Sequence, residues 1–184
     1  LGGPKIRVHP RNPRFHSSAE CIPVNLFRFH PSAFTLFFVR IAILSDTHDR
    51  MPSSLPGRFV HADEIWHLGD VCSPAILDTL SKVGPPLRFV RGNCDSFEEW
   101  PLTLTFALEG FRIHLEHVPP GAAPAGVDLL LHGHTHVPRH QTVGRTTFLN
   151  PGCITRPNRG APPSWAWLDL RRGEPIGWEL MHLH

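Results

Sequence analysis

The segment His132-Gly133-His134-Thr135-His136 sets three imidazoles at alternate positions directly after the apolar run 127–131. Neutral imidazole nitrogen suits borderline divalent metals, and several such donors on one rigid loop meet part of a metal's need at little ordering cost. The intervening glycine and threonine predict a turn, so the histidines fall where a buried strand spills into a loop. Carboxylates recur in the same setting upstream. Asp46 and His48 stand two residues apart at the end of the β-rich run 37–44, although an Asp or Ser there also suits a helix cap. Asp70 follows the run 65–68, and Gly69 before it lets the backbone come close to whatever the carboxylate binds. Arg91-Gly92-Asn93-Cys94-Asp95 follows a third run, 87–90.

Polar clusters at the ends of successive apolar strands predict parallel β-α units, in which ligands gather beyond the carboxyl ends of the strands. Between the second and third runs, Ser73-Pro74 opens a predicted helix over 75–82, with the serine as cap and Ile76, Leu77 and Leu80 as its apolar face. The stretch 51–62 is broken by prolines. Beyond Pro101 the texture turns to hairpins: 102–108 with 111–117 around Glu109-Gly110, 139–143 with 145–149 around Gly144, and 165–170 with 176–183. Alternation in the second arm of the first hairpin puts Phe111, Ile113, Leu115 and His117 on one face, with His117 at the strand end. Two packed sheets with few helices outside them are expected.

The 184 residues suffice for one domain with a sizeable core. Residues 1–37 stand apart as an extension outside the fold: up to Ala33 they hold Lys5, Arg7, Arg11, Arg14 and Arg28 against the single acid Glu20. Prolines 10, 13, 23 and 31 argue against the amphipathic helix of an organelle leader. The apolar run 34–44 is too short to span a bilayer. A net charge of +2, with basic residues scattered, implies no nucleic-acid partner. The four cysteines (21, 72, 94 and 153) show neither zinc-knuckle spacing nor a disulfide framework, which fits a reducing, cytoplasmic setting.

Asp46-Thr47-His48, Gly69-Asp70, Gly92-Asn93-Cys94-Asp95, His117, Gly133-His134-Thr135-His136 and Asn150-Pro151-Gly152, in that order, resemble the calcineurin-like metallophosphoesterase superfamily. Within it they are similar to the small bacterial and archaeal phosphodiesterases that carry Gly-Asn-Cys-Asp. The resemblance runs from about Val39 to the C-terminus. It implies a four-layered α/β/β/α sandwich with two divalent ions, Mn²⁺ first among candidates that include Ni²⁺, Co²⁺, Fe²⁺ and Zn²⁺. One ion would take Asp46, His48 and His136, the other Asn93, His117 and His134, with Asp70 bridging. A hydroxide between the ions would attack a phosphate ester, with Asp70, Asn93 and His117 as the catalytic set.

The chain departs from the family at several points. Val118-Pro119-Pro120 stands where glycine usually follows the histidine, and 118–126 is too short for the helix normally found there. Cys94 stands where larger relatives carry a histidine thought to protonate the leaving group, which favours substrates with acidic leaving groups. Arg159 is a candidate phosphate contact. Cys72, Cys94 and Cys153 read as small core residues, with oxidation sensitivity as the alternative. His132 is expected to support the ligands, His67 and His114 to be structural. A small-molecule phosphate ester is the expected partner, with no membrane and a homodimer possible. The competing reading is a non-catalytic scaffold on the same fold.

Overall fold

The three apolar runs pair in parallel: β1 (Val39–Leu44) lies beside β2 (Glu64–His67), and β2 beside β3 (Leu87–Phe89). The computed structural model describes residues 38–183, so the expected extension 1–37 lies outside the described residues. The closing hairpin, β9 (Ser164–Leu170) and β10 (Gly177–His182), joins the free edge of β1 antiparallel and completes the order β10-β9-β1-β2-β3. The second sheet is built from β4 (Thr103–Leu108), β5 (Phe111–Glu116), β6 (Leu129–Leu131), β7 (Arg139–Val143) and β8 (Thr146–Asn150). Its order is β4-β5-β6-β8-β7, with β5, β6 and β8 parallel.

Alternation along β1 explains the layering. Ile41 and Ile43 face the second sheet, in one cluster with Trp66, Ile113, Leu115, Leu129, Leu131 and Leu149. Ala42 and Leu44 face the other way, toward Phe59 of a short 3-10 turn and Ile76, Leu77 and Leu80 of helix α1 (Pro74–Ser81). Each large aliphatic side chain buried in these layers contributes about 1.5–3 kcal/mol. A one-residue slip in β1 would exchange its two faces, so burial fixes the register from which the site loops depart. Ser73 occupies the helix N-cap position, but its side chain makes no capping bond, contrary to expectation.

The molecule is an α/β sandwich of two mixed sheets with few helices. α1 covers the outer side of the first sheet. Outside the second sheet, Val127, Leu130 and Phe148 pack with Ala123 of the proline-rich connector, and no helix stands there among the described residues. That is the consequence expected of the shortened 118–126 link.

Candidate metal centre

Every sequence-predicted site residue follows the carboxyl end of a strand. Asp46 and His48 follow β1, Asp70 follows β2, Asn93 follows β3, His117 follows β5, and His134 and His136 follow β6. The loops are then tied to one another by main chain: Asp46 N–H donates to Gly69 O and His48 N–H to Asp70 O, each at 3.0 Å, and Gly133 N–H donates to His117 O at 3.0 Å. Holding side chains inward from such tight loops strains the backbone. Asp46, His48, Asp70, His134 and His136 all have positive φ, between 43° and 67°, a region that non-glycine residues rarely occupy. Gly69 and Gly92 make room: a Cβ on Gly69 would lie 2.7 Å from His117 Nδ1, and one on Gly92 would collide with the main chain and carboxylate of Asp70.

The donors fall into two groups that share Asp70. Donor atoms of Asp46, His48, Asp70 and His136 all lie within 4.8 Å of one another. His48 Nε2 is 3.3 Å from His136 Nε2 and 3.8 Å from Asp70 Oδ2. In the second group Asn93 Oδ1 lies 2.8 Å from His134 Nδ1 and 3.1 Å from His117 Nε2, which is itself 3.3 Å from Asp70 Oδ1. His117, the residue with the weakest sequence support, therefore sits inside the cluster. Its Nδ1–H donates to Leu68 O at 2.7 Å, and that of His136 to Arg156 O, so both rings turn Nε2 toward the centre.

Burial and charge act against each other here. Burial lowers the His48 imidazole below its ordinary value despite the carboxylates of Asp70 and Asp46. Burial also pulls His117 down, but its contact with Asp70 and the charge of Asp46 more than offset this, and the net shift is upward. The nearby Asp46 carboxylate raises His136. Burial would raise Asp70, yet His117 and the Cys94 N–H, which donates to Oδ1 at 2.8 Å, hold its carboxyl well below the usual range. The centre thus keeps an ionised carboxylate facing imidazoles.

These residues fit a divalent ion. Asp46 Oδ1 is fully buried and has no hydrogen-bond partner, although His136 Nε2 lies 3.0 Å away. A buried carboxylate oxygen left so is costly unless a cation pairs with it. Carboxylate, amide oxygen and imidazole, without thiolate, form a donor set for Mn²⁺, Fe²⁺, Ni²⁺, Co²⁺ or Zn²⁺.

Several residues support the site loops in roles the motifs did not reveal. Asp95 staples two ligand loops, accepting from Cys72 N–H at 2.6 Å and Gly92 N–H at 2.7 Å. Asn150 is fully buried and donates to Gly133 O at 2.9 Å and Thr135 Oγ1 at 3.1 Å, fixing the histidine loop. His67, expected only to be structural, accepts from Gly69 N–H at Nδ1 and meets Thr47 Oγ1 at Nε2, clamping two ligand loops together. The offset that pairs it with Gly69 was visible as His67-Leu68-Gly69-Asp70; its partner Thr47 was not. His132 is buried beside Asn150, with Nε2 unpartnered, and His114 packs on Thr105. Cys153 is buried and Cys72 half-buried, its Sγ 3.7 Å from His48 Nδ1, whereas Cys94 is exposed and is no core residue.

The sequence profile of the calcineurin-like phosphoesterase superfamily domain matches residues 39–173, and the chain belongs to that superfamily. It is 34% identical over 140 residues to a probable metallophosphoesterase of Methanothermobacter thermautotrophicus, covering 66% of this chain and 81% of the relative. It is 30% identical over 161 residues to the Escherichia coli phosphodiesterase YfcE, covering 71% of this chain and 88% of that protein. The solved YfcE structure superposes with a TM-score of 0.62 at 28% identity, covering 71% of this chain and 88% of that chain. A zinc-complexed Vps29 of Entamoeba histolytica shares the fold, with a TM-score of 0.64 at 22% identity over 77% of this chain and 98% of that one. The superfamily and the donor cluster make this chain a metal-dependent phosphoesterase homologue. No helix among the described residues is long and apolar enough to cross a membrane.

Proposed function

We propose that the chain is a phosphodiesterase of the Gly-Asn-Cys-Asp group, active in the cytoplasm through residues 38–184. Asp46, His48 and His136 would hold one divalent ion, and Asn93, His117 and His134 a second, with Asp70 shared. The observation that carries this is the Asp70 carboxylate, whose Oδ2 faces His48 at 3.8 Å while Oδ1 faces His117 at 3.3 Å. Bound ions, Mn²⁺ foremost, would supply Lewis acidity, lowering the pKa of a water between them and stabilising charge on phosphoryl oxygens.

The side chains divide the remaining work. Asp70 orients the attacking water, with the Cys94 N–H holding its carboxylate in place. Asn93 and His117, 3.1 Å apart, would act on the phosphate through the second ion they hold. The oxygen of water bonds to phosphorus and its proton passes to solvent while the P–O bond to one alcohol breaks; the alcoholate leaves with the electron pair and is protonated by solvent. Cys94 is a weak proton donor because partial shielding from water, its contact with Asp70 and the charges of Asp70 and Asp95 raise its thiol. Small phosphodiesters with acidic alcohols are therefore the favoured class.

The test is hydrolysis of bis(4-nitrophenyl) phosphate by Mn²⁺-loaded protein and its Asp70→Ala and His134→Ala variants. Turnover by the parent and none by either variant supports the assignment; parent-like turnover in either refutes it. Two ions bound without turnover of any diester would instead favour the scaffold reading, for which shared fold with Vps29 is the motivating observation.

A further inference from the structure

Two cavities open beside the centre, and their charges differ. One, of about 560 Å³, touches Asn93 and His117 and carries the acids Glu98 and Glu116 as well as Arg91. The other, of about 570 Å³, touches His134 and is lined by Arg139, Gln141, Asn158 and Arg159, with no carboxylate on its wall.

Arg139 is held in place, and neither arginine of the second cavity is neutralised. Arg139 donates from Nε and Nη2 to Gln141 Oε1, at 3.1 and 2.9 Å, and lies 4.3 Å above the Phe148 ring. Both contacts fix the guanidinium plane and leave its charge unspent. Arg159 sits on a loop pinned to the histidine segment: Asn158 N–H donates to His136 O and Asn158 Nδ2 to Thr135 O, each at 3.3 Å. Among the described residues the ion pairs of arginines involve Arg40 and Arg88, and neither Arg139 nor Arg159 takes part in one.

We infer that this second cavity is an anion subsite for one arm of the substrate. The preferred substrate is then a phosphodiester in which one esterifying alcohol itself bears a phosphate. Guanidinium groups recognise phosphate oxygens through paired, charge-assisted hydrogen bonds, and the fixed plane of Arg139 lowers the ordering cost of doing so. Glu98 and Glu116 repel such an arm from the first cavity, so the diester is bound in one orientation. The inference rests on the phosphodiesterase reading above and adds a charge requirement to it.

The test is a matched pair of substrates for the Mn²⁺-loaded full chain: 4-nitrophenyl 2-phosphoethyl phosphate and 4-nitrophenyl 2-hydroxyethyl phosphate. The first should have a KM about tenfold lower, the scale of one charge-assisted contact, and the preference should shrink with added salt. Arg139→Gln and Arg159→Gln should each reduce the ratio of the two kcat/KM values. Arg159 is exposed and carries little packing, so its variant reports on charge even if the other is poorly folded. Equal kcat/KM for both substrates, or an unchanged ratio in both variants, overturns the subsite and leaves the phosphodiesterase standing. Hydrolysis of neither substrate by metal-loaded protein overturns both.

Discussion

His67 offers a sharp test of how the fold builds the centre. Its ring is fully buried, and because Gly69 N–H can only donate, Nδ1 accepts at 3.2 Å and the proton sits on Nε2, 3.1 Å from Thr47 Oγ1. Burial pushes its pKa down to about 3, so the ring is neutral. One side chain thus joins the loop of Asp46 and His48 to that of Asp70. His67→Phe keeps much of the volume but orphans the Gly69 N–H and removes the donor to Thr47 Oγ1. An unsatisfied buried donor costs about 1–3 kcal/mol and a lost neutral bond about 1 more, giving roughly 2–4 kcal/mol. Against a typical total of about 5–15 kcal/mol, the variant still folds. Misplaced support for ligands should weaken metal binding about 10–100-fold. The assays are urea unfolding of metal-free protein and Mn²⁺ competition against a chromogenic chelator. His67→Asn, whose carbonyl replaces Nδ1 toward Gly69, should bind metal more tightly than His67→Phe despite its smaller volume. Wild-type metal affinity in the Phe variant, or an Asn variant no better than Phe, would refute the reasoning.

Further outcomes follow from the same geometry. Metal-free protein should be most stable near pH 6.5. The lowered values of His67 and His132, to about 3 and about 4, make the unfolded state bind more protons below that point, so stability falls on acidification by up to about 3 kcal/mol per pH unit for the pair. The raised values of His117 and His136 give stability that is lost as pH rises through them; a continuous rise in urea midpoint from pH 5 to 8 would contradict this. For wild type, log kcat over a series of aryl diesters should fall steeply with leaving-group pKa, and Cys94→His should flatten the slope. Gly92→Ala, which drives a methyl into Asp70, should bind no more than one metal by elemental analysis.

Much of the candidate site was legible in the sequence because most of its residues follow apolar runs whose boundaries are visible. The β1, β2 and β3 runs, the hairpin turns and the inward face of Ile113, Leu115 and His117 all follow from alternation and turn residues. Sheet membership did not. Nothing local tells that β9 and β10 join β1 while the like-looking β4 and β5 join β6, because that choice is made by long-range packing. The supports were equally hidden. Asp95 reaches Cys72 N–H, and Asn150 reaches Gly133 O, only through folding, and such contacts leave no spacing to read. Cys94 was misjudged as core because small apolar type alone does not say which way a strained loop turns its side chain.

The central claim is that Asp70 stands between two ion sites that together hydrolyse a phosphodiester. Elemental analysis of the purified chain, paired in the same preparation with bis(4-nitrophenyl) phosphate hydrolysis after Mn²⁺ addition, tests it most directly. About two metals per chain and clear turnover are expected. Metal-free protein that stays inactive with saturating Mn²⁺ would contradict it.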